Sequence, residues 1–139
     1  MARTTPVTVR LKPELLAGLE ARAGRTRRSR SEVVEELVDL ALRTLRYPGI
    51  TFVEGPAGIR AHLAGTGLDV WEVVMVHRAR GGNEKATLRH LPTLNRRRLR
   101  LGLAYAREFA GEIKSILDEN ARAPEAWAGE AVFGNPRPR

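Results

Sequence analysis

A chain of 139 residues with 42% hydrophobic and 29% charged side chains has the balance of a globular protein, with room for one domain or two very small ones. Its formal net charge of +8 favours a polyanionic partner over an acidic small substrate. It has no cysteine, which excludes disulfides and thiolate zinc sites, and no apolar run approaches the roughly 18 residues of a spanning helix, so a cytoplasmic protein without a membrane role is expected.

In chain order, Val7, Val9 and Leu11 alternate with Pro6, Thr8 and Arg10, the period of a half-buried strand. Pro13 suits the first turn of a helix, where its missing N–H would be unpaired anyway. Leu15, Leu16, Leu19 and Ala23 recur on one face, and Gly24 can take the left-handed position that closes the helix. Ser29 and Glu32 have the S-x-x-E spacing of a capping box opening a second helix, whose apolar face reads Val34, Leu37, Val38, Ala41 and Leu45. Tyr47-Pro48-Gly49 then breaks the pattern.

Beyond the break, Ile50–Val53 and Ile59–Leu63 flank the turn-forming Gly55-Pro56-Ala57-Gly58, which predicts a hairpin. Asp69 and Glu72 form a second capping box for a helix that ends at Gly81-Gly82. Asn83 caps a short helix to about His90. Pro92-Thr93-Leu94 turns the chain, and Asn95 caps one long helix to about Glu119, burying Leu99, Leu103, Ala106, Phe109, Ile113 and Ile116. Residues 120–139 form an Ala/Pro-rich tail that still carries Trp127, Val132 and Phe133. Large apolar side chains of that kind need a docking place, on their own domain or on a partner.

About 40 residues of strand and two helices cannot bury a core alone. Two copies can, if their strands pair antiparallel and four helices close beneath. Val7, Val9 and Leu11 then point inward, while Pro6, Thr8 and Arg10 lie on the open face of a two-stranded ribbon, a shape that fits the DNA major groove. Arg10 could fork onto guanine O6 and N7, and Thr8 could bond a base edge or touch a thymine methyl. Arg25, Arg27, Arg28 and Arg30 crowd the entrance of the second helix, where the helix dipole disfavours cations. A phosphate there would supply the missing negative charge and could also be held by the amides near Arg30 and Ser31. Arg96, Arg97, Arg98 and Arg100, with Arg89 and His90 nearby, repeat the pattern at a later helix start. Three readings stay open for them: a second DNA contact, a surface that meets an acidic partner, and a solvated face. No nucleophile motif, glycine-rich phosphate loop or carboxylate cluster points to an enzyme, a metal or a cofactor, and His62, His77 and His90 have no ligand-spaced partners.

The first segment resembles the ribbon-helix-helix family of bacterial repressors and antitoxins (CopG/Arc/MetJ-like) through Val7-Thr8-Val9-Arg10-Leu11, Pro13-Glu14-Leu15-Leu16 and Arg28-Ser29-Arg30-Ser31-Glu32. The resemblance implies base contacts from Pro6, Thr8 and Arg10 and a phosphate clamp from Arg27, Arg28, Ser29, Arg30 and Ser31. Pro6 departs from the pattern because it has no N–H, and the Arg25–Arg28 loop is longer. Residues 47–118 resemble a domain-of-unknown-function family found in VapB-type antitoxins, with a helix-turn-helix-like or winged core. The matching pieces are Tyr47-Pro48-Gly49-Ile50, Gly65-Thr66-Gly67-Leu68-Asp69-Val70, Leu91-Pro92-Thr93-Leu94, Leu103-Ala104-Tyr105-Ala106 and Glu112-Ile113; that family usually has arginine where Gly67 stands.

Together these imply a mainly α fold with short β elements. A ribbon-helix-helix dimerisation domain would span residues 1–46, a hairpin with a helix-turn-helix-like domain 47–119, and a tail 120–139. The implied function is an antitoxin of a type II toxin-antitoxin system, a homodimer or a tetramer on a palindromic operator, that represses its own operon and neutralises a PIN-like ribonuclease toxin, in part through Trp127, Val132 and Phe133. The alternative is a regulator or architectural DNA-binding protein without a toxin.

Overall fold

A computed structural model describes residues 3–121. Contacts divide the chain between Arg46 and Tyr47 into two units. No helix among the described residues is long and apolar enough to cross a membrane.

The first unit is a pair of helices, α1 (Pro13–Thr26) and α2 (Arg30–Arg46). Pro13 stands at the start of α1 after an extended Lys12. The helix does not stop at Gly24, as its sequence suggests; it runs one turn further, and Arg27 takes the left-handed conformation at φ 54°. Arg28 N–H donates to Ala23 O at 3.0 Å and Arg27 N–H to Gly24 O at 3.3 Å, the paired bonds of a Schellman closure. Thr26 Oγ1 also donates to Arg22 O at 2.8 Å. These three bonds offset a helical glycine and a left-handed arginine, each costing about 1 kcal/mol. The connector is therefore short, and Arg25 and Thr26 belong to α1.

Among the described residues of this unit, only Leu19, 8% exposed, and Val33, fully buried, are buried. The stripe expected to pack, Val34 to Leu45, is not the face α2 turns toward α1. Val33 is, with half-buried Glu36, Leu40 and Arg43 following at helical spacing. Leu37, Val38, Leu42 and Leu45 are left 39% to 77% exposed. Nor does a single copy form the strand expected over Val7–Leu11: residues 3–12 lie in no helix or strand and are exposed throughout. The physical reason is that ladder bonds need a neighbouring strand, and this unit contains none.

Among the described residues, the second unit is a three-stranded antiparallel sheet and four helices. β1 (Ile50–Gly55) and β2 (Gly58–Leu63) pair with Gly55 opposite Gly58, leaving Pro56-Ala57 as the turn. A third strand, β3 (Leu68–Asp69), has no counterpart in the sequence reading and joins the other edge of β2. Thr66 builds the turn between them: its buried hydroxyl donates to Leu63 O at 2.7 Å and accepts Leu68 N–H at 3.1 Å. Gly65 and Gly67 flank it at φ 77° and 72°, conformations that disfavour any side chain. The helices are α3 (Val70–Ala79), α4 (Glu84–His90), α5 (Arg96–Glu108) and α6 (Ala110–Asn120).

The one long helix expected from Asn95 to Glu119 is two. Phe109, at φ −106° and ψ 43°, separates α5 from α6. The break lets Phe109 stack at 4.6 Å on buried Tyr105, with Tyr47 edge-on to both rings, while Ile113 and Ile116 still reach the interior. Tyr105 O–H donates across the break to Glu112 Oε2 at 2.8 Å. The core is Ile50, Ala61, Leu63, Val70, Val73, Val74, Leu94, Leu99, Tyr105 and Ile113. Gly102 is buried within it because a Cβ there would stand 3.3 Å from Leu63 Cδ1.

Candidate nucleic-acid interface

Pro6, Thr8 and Arg10 are exposed, and so are the alternate residues Val7, Val9 and Leu11, at 79%, 63% and 41%. The alternation that the sequence predicts is thus present as chemistry, polar on one parity and apolar on the other, without a cover for either. Among the described residues, eight of the ten large apolar side chains that are exposed belong to this unit: Val7, Val9, Leu11, Leu15, Leu37, Val38, Leu42 and Leu45. Scattered exposed leucines are ordinary, but this density on a two-helix unit marks an association surface.

The start of α2 is built as its sequence suggests. Glu32 N–H donates to Ser29 Oγ at 3.1 Å, and Ser29 N–H donates to Glu32 Oε1 at 3.3 Å, completing the capping box. Ser29, through its side chain and its N–H, holds the Glu32 carboxyl below the usual carboxylate range. The amides of Arg30 and Ser31, in the first turn, have no carbonyl four residues back within the helix and remain able to meet an anion. Ser29→Ala is expected to cost about 1 kcal/mol of helix stability, read as a lower melting temperature, and to weaken DNA binding evenly across sequences.

The arginines beside this cap divide into two groups, which changes the local balance of charge. Arg28 donates to Glu36 Oε2 at 2.6 Å and lies 3.8 Å from Glu32; Arg30 donates to Glu20 Oε1 at 3.0 Å. Carboxylates of the same chain therefore balance two of the four guanidiniums. Arg25 and Arg27 are exposed, and none of these pairs uses them. Glu36 also accepts from Arg22 Nη2 at 3.0 Å, so one carboxylate ties α1, the connector and α2 together. The Arg28 hydrogen bond, then that of Arg22, holds Glu36 below the usual carboxylate range against the opposing effect of burial. On the sequence, Glu35, Glu36 and Asp39 stand near Arg43 at a spacing suited to i,i+4 pairs; Asp39 does pair with Arg43, at 3.0 Å, whereas Glu36 turns to Arg22 and Arg28. The i,i+4 spacing of Arg28 and Glu32 is the only local sign that the connector meets α2.

In the second unit Asn95 Oδ1 accepts Arg98 N–H at 2.8 Å and Asn83 Oδ1 accepts Ala86 N–H at 2.8 Å, capping α5 and α4. Arg96 and Arg100, one turn apart, converge on Glu84 at 2.7 and 3.2 Å. The Arg100 hydrogen bond first, then the charges of Arg100 and Arg96, keep the Glu84 carboxyl low. Arg97, Arg98 and Arg89 are exposed, and the Arg98 guanidinium lies over the backbone at Gly65.

Each histidine has a partner. His62 Nδ1 is 3.0 Å from Asp69 Oδ1, His77 Nδ1 is 2.9 Å from Thr87 Oγ1, and Arg80 Nη2 donates to His90 Nδ1 at 2.8 Å. Trp71 Nε1–H takes the other Asp69 oxygen at 3.1 Å, so that carboxylate serves the sheet, the cap and the helix at once. Trp127, Val132 and Phe133 lie outside the described residues.

Residues 5–45 match a family model described as ribbon-helix-helix protein, copG family. The match spans under a third of the chain and stops one residue short of the end of α2. The family is one of DNA-binding transcription regulators, not enzymes, and its members bind DNA as dimers. Neither the search of curated proteins nor that of solved structures gave a match.

Proposed function

We propose that this protein is a homodimeric transcription regulator that reads a two-fold symmetric operator with a β-ribbon of two Val7–Leu11 segments. The observation that carries the reading is the set of uncovered apolar side chains in the first unit, Val7, Val9, Leu11 and Leu15 together with Leu37, Val38, Leu42 and Leu45 of α2, the first three alternating with Pro6, Thr8 and Arg10. Pairing two copies covers the first set and leaves the second facing outward. Thr8 and Arg10 supply the donors a major groove can be read with. Pro6 supplies shape and contact but no N–H. Arg27, Ser29, Arg30, Ser31 and the first amides of α2 hold a backbone phosphate, and Arg28 positions that end through Glu36.

Fluorescence anisotropy on the promoter upstream of the gene tests this. Arg10→Ala is expected to cost about 1–3 kcal/mol on the operator and to narrow the gap between operator and scrambled duplex. Unchanged discrimination would remove the strand as the reader.

A finer reading makes the protein an antitoxin, with the second unit as a helix-turn-helix-like or winged domain. Its support is the resemblance over residues 47–118, and the residues that carry that resemblance are largely architectural. Gly49 stands at φ 106°, where a Cβ would meet Leu101 Cδ2 at 2.9 Å, Thr66 builds the β2–β3 turn, and Tyr105 and Glu112 bridge α5 and α6. They speak for a shared fold more than for a shared partner. Co-expression with the neighbouring gene, then affinity purification, decides between an antitoxin and a regulator without a toxin; a co-purifying PIN-like nuclease supports the first, and no partner supports the second.

A further inference from the structure

The second unit distributes its charge unevenly. Of the 11 lysines and arginines in residues 48–121, eight lie between Arg78 and Arg100, whereas only one of the eight carboxylates does, Glu84. That stretch covers the end of α3, all of α4 and the start of α5. The remainder of the unit holds the other seven carboxylates against three cations. Side-chain bonds link the three helices of the stretch: Arg80 at the end of α3 reaches His90 at the end of α4, and Arg96 and Arg100 of α5 reach Glu84 at the start of α4.

Glu84 is the decisive residue. Its side chain is 29% exposed; Oε1 meets Arg96 Nε at 2.7 Å and Arg100 Nη2 at 3.4 Å, and Oε2 meets Arg100 Nε at 3.2 Å. The single carboxylate of the surface thus fixes two guanidiniums in place and offers nothing to an incoming cation. None of these ion pairs uses Lys85, Arg89 or Arg97. On α5 the buried positions are Leu99, Gly102 and Tyr105, and the 100° advance per residue puts Arg97 opposite their mean direction, outward. Lys85, Leu88 and Arg89 line an open hollow on α4.

We infer that this face of the second unit binds the phosphate backbone of duplex DNA beside the half-site that the first unit reads. The inference rests on the operator-binding reading for its location, and on charge complementarity for its partner. A stretch with a net excess of seven cations, whose one carboxylate already faces two arginines, favours a polyphosphate as partner. The contacts are to backbone and not to bases: the cations are spread over two helices and a hollow, with no ribbon or helix presenting an alternating readout set. The chain is then a two-part binder, with sequence read at one unit and length of footprint set by the other.

The test is the full chain carrying K85Q/R89Q/R97Q, measured by anisotropy on operator and scrambled duplexes from 50 to 300 mM salt, with circular dichroism as the fold control. The expected result is weaker binding to both duplexes by the same factor. The slope of log K against log salt should become shallower by about 0.9 for each phosphate no longer neutralised. Glu84→Gln, which removes the one negative charge of the stretch and frees Arg96 and Arg100 from their ion pairs, is expected to act in the opposite direction and tighten binding to both. An unchanged salt slope in the triple variant overturns the inference, as does loss of binding to an acidic protein with DNA binding intact. If the unaltered chain shows no preference for its operator while the triple variant still flattens the slope, the operator reading fails and this one stands.

Discussion

Val38→Glu is expected to dissociate the protein and abolish operator binding at every salt concentration. Val38 is 52% exposed in a single copy and lies on α2 among Leu37, Leu42 and Leu45. On a solvated helix face such a change is worth less than about 0.5 kcal/mol and raises solubility. In a face closed by a second copy it places two unpaired carboxylates in an apolar interior, at several kcal/mol each. The interface cannot absorb that loss, because burying a valine or leucine contributes only about 1.5–3 kcal/mol and only Leu19 and Val33 are buried without a partner. Val53 provides the control. It is nearly as exposed, at 47%, but sits on the hairpin of the second unit, where Val53→Glu should leave both assembly and DNA binding unchanged. Sedimentation equilibrium at micromolar concentration separates the outcomes: a folded, dimeric Val38→Glu would mean that the apolar stripe belongs to no interface.

The parts of this structure that are legible in the sequence are those fixed by local chemistry. Ser29 with Glu32, Asp69 with Glu72, Asn83 and Asn95 each announce a helix start, because a cap satisfies orphan N–H groups within three residues of itself and needs no knowledge of the fold. The β1–β2 hairpin is equally plain, since Gly55 and Gly58 bracket a two-residue turn between apolar runs. Helix ends are less so. Gly24 looks like a stop, but α1 gains three further bonds by running to Thr26 and closing at Arg27, and those bonds depend on where the next helix lies. The α5–α6 break carries no proline. It is set by the packing of Phe109 on Tyr105, which a 3.6-residue period passes over without a trace.

Long-range matters escape the sequence for a related reason. The apolar stripe of α2 is visible, but periodicity cannot say whether a face meets its own chain or another. Val33, one position off that stripe, faces α1, while the stripe itself stays open. The second β2 edge is hidden because β3 has two residues, and the turn into it is built by the hydroxyl of Thr66, a contact that no periodicity marks. For the proposed interface, residue type and parity single out Pro6, Thr8 and Arg10 as an expectation, and the carboxylates that meet the basic cluster are not visible in the sequence. Arg28 and Arg30 are legible as a basic cluster, and their carboxylates, Glu36 and Glu20, stand eight and ten residues away.

Glu36→Gln should destabilise the first unit by about 1–2 kcal/mol at neutral pH, through the loss of two charge-assisted hydrogen bonds. The lower end is favoured because about a quarter of the Glu36 side chain and a third of the Arg28 side chain remain open to solvent, where water screens the pair. The pH dependence gives the sharper signature. Arg28 and then Arg22 hold the folded-state carboxyl of Glu36 below its ordinary value of 4.5, so the folded state binds its proton less readily than the unfolded one. Its contribution is therefore complete above about pH 5 and is lost as pH falls below 4.5 through the folded value. Glutamine cannot titrate, so the melting temperatures of the two proteins should differ at pH 7 and converge in acid. Glu32 is also held low, chiefly by Ser29 and in smaller part by Arg28, so most of its titration is common to both proteins. A gap that stays constant from pH 7 to pH 3 would assign the loss to packing and not to charge. The same substitution releases the Arg28 guanidinium at the start of α2, beside the free amides of Arg30 and Ser31. If a phosphate docks there, the variant should bind DNA with a salt slope steeper by about 0.9 per additional phosphate neutralised, so that the less stable protein is the more strongly salt-dependent binder.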